Sequence, residues 1–182
     1  MSKIAVAISS RMHTLSRKEL EKLVLKAASK DKHFHDYLLV NYFDKDYGEQ
    51  DLFEQAKEDM EVLFKKNYKG YAEEIKLANM LTACTKRITA FSKVCKNKQL
   101  EADLVILALR IPFALPGNHF TTCFTAYNYK VVTLVKRLIK IVTQQLHEDY
   151  KIQYSITINT YLNTLHHFSS HLDYAYNLPK SL

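Results

Sequence analysis

The sequence predicts an all-α fold, about seven helices in an antiparallel αα-hairpin stack or an irregular bundle. Three observations carry that prediction. Only 3 Gly and 3 Pro occur in 182 residues, fewer than the turns of a β-rich protein demand. Apolar residues recur at i, i+3, i+4 and i+7 along several segments, the period of one helix face. Capping residues stand just ahead of some of these stripes. Hydrophobic residues make up 47% and charged ones 25%, enough for a continuous core and too apolar for disorder. The length predicts a single helical domain over 1–182, with 1–14 as a lead-in and 176–182 as a tail.

The elements follow in order. Residues 1–14 read as extended or frayed. Ser16 and Glu19 form an S-x-x-E capping box, after which Leu20, Leu23, Val24 and Ala27 share one stripe, so a helix is expected over about 16–28. A second, about 31–43, opens at Asp31 and carries Phe34, Leu38 and Phe43. Asp44 to Gly48 reads as a loop. Asp51 and Glu54 open a third helix, with Met60, Leu63 and Phe64 among its apolar positions and Gly70 as its break. The fourth, about 71–95, puts Leu77, Leu81, Cys84, Ile88, Phe91 and Cys95 on one side. The fifth, about 99–110, is nearly continuous in apolar content and therefore central. Pro112 and Pro116-Gly117 turn the chain after it. A long sixth helix, about 119–148, sets Val131, Leu134, Val135, Leu138, Ile141 and Val142 opposite Lys136 and Lys140. The last, about 155–175, runs through Leu162, Leu165 and Phe168, and order ends near Leu178-Pro179.

Lys and Arg number 26 against 19 acids, a net +7 with pI near 9.2. That balance raises the case for anionic partners, but it is not extreme, and solubility alone is the commoner reason for it. Cys84, Cys95 and Cys123 form no C-x-x-C pair, so reduced, buried thiols in a cytoplasmic protein are expected. The run Ile4 to Ile8 is too short for a secretory core, and no stretch approaches the roughly 20 apolar residues of a membrane span, so no membrane partner is expected.

Several strings resemble a known family. Ile75-Lys76-Leu77-Ala78, Lys86-Arg87-Ile88-Thr89-Ala90-Phe91 and Glu101-Ala102-Asp103-Leu104, with Leu15-Ser16-Arg17-Lys18-Glu19-Leu20 and the long-helix pattern from Tyr127 to Ile141, resemble an uncharacterised, mainly Bacteroidetes, all-helical family of unknown function. The resemblance implies a bacterial, all-helical protein and supplies no activity and no site residues.

Catalytic signatures are sparse. G-x-S-x-G is absent and the glycines at 48, 70 and 117 stand alone, so no phosphate-cradling loop can be built around them. No Arg precedes a His by the four to six residues used by some small helical ribonucleases. His167 and His171 are an i, i+4 pair that suits a divalent metal. With no third ligand nominated, a polar helix face explains them, and neither metal nor cofactor is expected. The basic residues are the better candidates. Lys86, Arg87 and Lys93 on the fourth helix, with Lys136, Arg137 and Lys140 on the sixth, would form one anion or nucleic-acid surface if those helices adjoin. The 12 tyrosines could add stacking platforms. The function expected is a non-catalytic protein-interaction or scaffold domain with a protein partner. The alternative is a basic nucleic-acid-binding module without sequence readout.

Overall fold

A computed structural model describes residues 3–43, 45–169 and 172–182. These residues are all-α, with no strand among them. In chain order the helices are α1 (Lys3–Met12), α2 (Arg17–Lys30), α3 (Lys32–Leu38), α4 (Lys45–Lys65), α5 (Glu73–Val94), α6 (Lys98–Ala114), α7 (Thr125–Gln144), α8 (Glu148–Phe168) and the short α9 (Asp173–Tyr176). A π-helical turn, Leu39–Phe43, follows α3, and a 3-10 turn, Gly117–Phe120, precedes α7. Contacts divide the chain into two compact units, Met1–Gly48 and Glu49–Leu182.

In the N-terminal unit local signals decide the helix ends. Ser16 caps α2 through the expected box: Glu19 N–H donates to Ser16 Oγ, and Ser16 N–H donates to Glu19 Oε2 at 2.8 Å. The Ser16 side chain and backbone bonds hold the Glu19 carboxyl below its ordinary value. Asp31 ends α2 and begins α3, its carboxylate accepting from His33 N and Phe34 N. From Lys3 to Met12 the lead-in is helical rather than extended or frayed. The segment read as a loop at 44–48 is helical from Lys45, while Asp44 lies outside the described residues. Gly48 is tolerated there because Val40 packs against it; a Cβ would stand 3.2 Å from Val40 Cγ2. Among the described residues of this unit Val40 is the buried hydrophobic, and α2 buries none of its residues.

The C-terminal unit holds the core. α7 lies at its middle, touching α5, α6 and α8, with Val131, Leu134, Val135, Leu138, Ile141 and Val142 all buried as the apolar stripe requires. α6 buries Ala102, Leu104, Val105, Ala108 and Leu109. It runs through Pro112 to Ala114 instead of ending at about Arg110. In the last turn a proline removes only one ladder bond, and Pro112 is itself buried. Phe113 stacks on Tyr161 at 4.0 Å and Phe120 on Tyr127 at 5.5 Å, which closes the end of the core.

Several predicted boundaries move. The long sixth helix divides into the 3-10 turn and α7, which stops at Gln144. α8 starts at Glu148, seven residues before the predicted start, because His147 acts as its cap, Nδ1 accepting weakly from Asp149 N at 3.5 Å. The tail folds back on α8: Leu178 is buried, Leu182 N–H donates to Asn159 Oδ1, and His166 Nε2 donates to the Pro179 carbonyl.

Candidate functional site

The predicted basic residues fall on α5 and α7, and these helices do adjoin. The joint is made by Arg137. Its guanidinium reaches Glu101 Oε1 of α6 at 2.6 Å through Nη2 and 3.0 Å through Nε. The same group donates to Thr89 Oγ1 at 3.1 Å and Ser92 Oγ at 3.2 Å on α5. Lys98 holds the other Glu101 oxygen at 2.6 Å. Glu101 is 4% exposed. Burial alone would raise its carboxyl, but hydrogen bonds and charge from Lys98 and Arg137 outweigh it and hold it below the ordinary value.

Arg137 therefore faces inward as a clamp between three helices. Arg87 is likewise engaged, donating to Asp59 Oδ2 of α4 at 2.6 Å. The remaining four predicted residues, Lys86, Lys93, Lys136 and Lys140, are exposed, and none makes an ion pair with a described residue. Lys86 and Lys93 lie roughly 60° and 40° around α5 from Thr89, on its solvent side. Lys136 and Lys140 flank Arg137 on α7. The lysines border the seam and the arginine closes it.

Sequence reasoning missed the partners. Glu101 is an acid inside a run of apolar residues, and Asp103 is another. Asp103 accepts from the Tyr154 hydroxyl at 2.8 Å, and its carboxyl is raised by burial against the opposing pull of that bond. The signal available was an acidic pair with no polar helix face to occupy.

Other reactive groups do not converge. Cys84 and Cys95 are buried as predicted, their thiols pushed up by burial to about 12 and about 11. Cys123 is exposed, contrary to the expectation of three buried thiols, because it sits in the loop ahead of α7. His119 Nδ1 lies 3.5 Å from Glu74 Oε1, within ion-pair reach but without hydrogen-bond geometry. The nearby Tyr127 hydroxyl, also without a hydrogen-bond partner, is raised by burial and then by the charges of Glu74 and Glu73. His167 meets Phe168 edge-on, and His171 lies outside the described residues. Among the described residues no three His, Cys, Asp or Glu side chains stand close enough to share a metal.

The N-terminal unit has a second feature, which periodicity alone did not single out. α1, the turn after it and α2 enclose a groove of about 590 Å³ lined by Ile8, Arg11, Met12, Thr14, Leu15 and Leu23. Ile8 is 56% exposed and Leu23 52%. Beside it Lys18, Lys22, Lys26 and Lys30 follow one another at i+4 along α2, all exposed and without ion pairs to described residues. The acids of α2 are engaged, Glu19 in the capping box and Glu21 with Arg17 at 3.0 Å.

No described helix is long and apolar enough to cross a membrane. Set beside known proteins, the chain matches no family model, no curated protein and no solved structure.

Proposed function

We propose that the protein is a non-catalytic interaction domain whose α1–α2 groove takes an amphipathic helix with acidic flanks from a protein partner. The observation that carries this reading is the apolar lining of that groove beside four lysines that pair with no acid among the described residues. Helices dock in such grooves by burying an apolar stripe, while flanking charges choose the partner. An acidic helix offers both complements. The isolated unit gains little from its own burial, since α2 buries nothing, and contact with a partner supplies the missing apolar cover. The cytoplasm is the compartment we assign, a reading supported by two thiols buried singly in the core.

The test is a photo-crosslinking amino acid placed at Leu23, with the same group at exposed Ile156 of α8 as the control. A captured segment that is helical, acidic on its flanks and lost on Met12→Glu supports the reading. Equal capture at both positions, or capture insensitive to Met12→Glu, overturns it.

A further inference from the structure

From Ile75 to His147 the only acids are Glu101 and Asp103; every other charged residue in that stretch apart from histidine is Lys or Arg. Both acids are bonded inward, Glu101 to Arg137 and Lys98, Asp103 to Tyr154. The exposed charge of α5 beyond its first turn, and all that of α7, is therefore of one sign. On α7 the exposed residues Tyr129, Thr133, Lys136 and Lys140 fall at i, i+4, i+7 and i+11, a single stripe. Tyr129 is 55% exposed and meets Tyr174 edge-to-face at 5.7 Å, which leaves ring surface open to solvent. Lys136 and Lys140 follow it at about 10 and about 16 Å along the axis.

The geometry points to a binding face for single-stranded nucleic acid, with Lys86, Lys93, Lys136 and Lys140 on backbone phosphates and Tyr129 as a stacking platform for a base. Phosphate contacts of this kind need unpaired cations, and lysines that pair with no described residue supply them while Arg87 and Arg137 are held in ion pairs. A stacked aromatic in line with them is how sequence-tolerant single-strand binders hold bases. A bilayer surface fits less well. Among the described residues, α5 and α6 expose no large apolar side chain and α7 exposes only Tyr129, whereas interfacial helices insert an apolar face. This face belongs to the C-terminal unit and shares no residue with the groove assigned above, so either assignment can fail alone.

The experiment is fluorescence anisotropy of a labelled single-stranded RNA of roughly 12 nucleotides, titrated with the full-length protein across salt. Four phosphate contacts give a log–log salt slope of about −3, and the Lys136→Gln, Lys140→Gln double variant flattens it by about 1.4. Tyr129→Ala weakens binding about tenfold at every salt concentration without changing the slope, and Tyr129→Phe restores it. The Lys18→Gln, Lys22→Gln double variant, with the same charge loss on α2, leaves affinity within about twofold. Absence of binding at about 50 mM salt overturns the assignment. So does equal weakening by the α2 variant, or displacement of the RNA as readily by polyglutamate or anionic phosphatidylglycerol vesicles.

Discussion

Glu101 carries a charge into a position only 4% exposed, where an unpaired carboxylate would cost several kcal/mol. Two cations and a fork of hydrogen bonds compensate it. Removing one partner is more damaging than removing the group. Arg137→Met is expected to lower stability by about 3 kcal/mol, while Glu101→Leu combined with Arg137→Met returns it close to wild type. Urea denaturation midpoints check both. The pH dependence follows from the depressed Glu101 carboxyl. Its contribution is complete above the unfolded carboxylate range and is lost as pH falls through the lower folded value. The gap between wild type and Arg137→Met should therefore be widest near about pH 7 and close toward about pH 3. A gap unchanged over that range would remove Glu101 from the account.

At the scale of elements, close approaches fix how the helices meet. A Cβ on Gly117 would stand 2.3 Å from the Phe168 ring, so the turn before α7 and the end of α8 approach as closely as glycine allows. Gly117→Ala should cost about 1–3 kcal/mol through overpacking, and Phe168→Leu in that background should recover part of it; thermal melts compare the three proteins. Gly70 carries φ 151° and has Ile75 against it, which agrees with its expected role as the break after α4. Signals of this local kind were legible in the sequence: the Ser16–Glu19 box, the Asp31 cap and the α7 stripe needed only neighbours within one or two turns. A break between the last two long helices was read, but its position was not legible, because it uses neither Gly nor Pro and the α8 cap is a histidine, an unusual choice. The roles of Arg87 and Arg137 were equally hidden. Their acids lie 28 and 36 residues away, and no periodicity within one helix reports a partner on another.

Over the whole molecule, burial is uneven. α7 buries nine residues along its length, whereas α2 buries none. Local opening free energies track such differences. Amide exchange followed by mass spectrometry should show 17–30 exchanging at least about 100-fold faster than 125–144. Similar protection in both would mean that something covers α2 in solution, and addition of the partner helix should then produce no further slowing. The all-α class followed from composition, since little in the chain could turn a β-strand. The candidate surfaces were only half visible. Helical spacing placed the lysines on outward faces, but whether those faces adjoin depended on α5 and α7 being neighbours.

The division of labour between Arg137 and the lysines around it has a chemical consequence. A guanidinium keeps its charge at any physiological pH and is not an acetylation target, while a lysine's charge is erased by a single acetyl group. This chain joins α5, α6 and α7 with the permanent cation and turns only erasable ones outward along the seam. Full acetylation of exposed lysines with an amine-reactive ester should leave the far-ultraviolet circular dichroism unchanged and abolish oligonucleotide binding. The face could be silenced, residue by residue, without loosening the clamp beneath it.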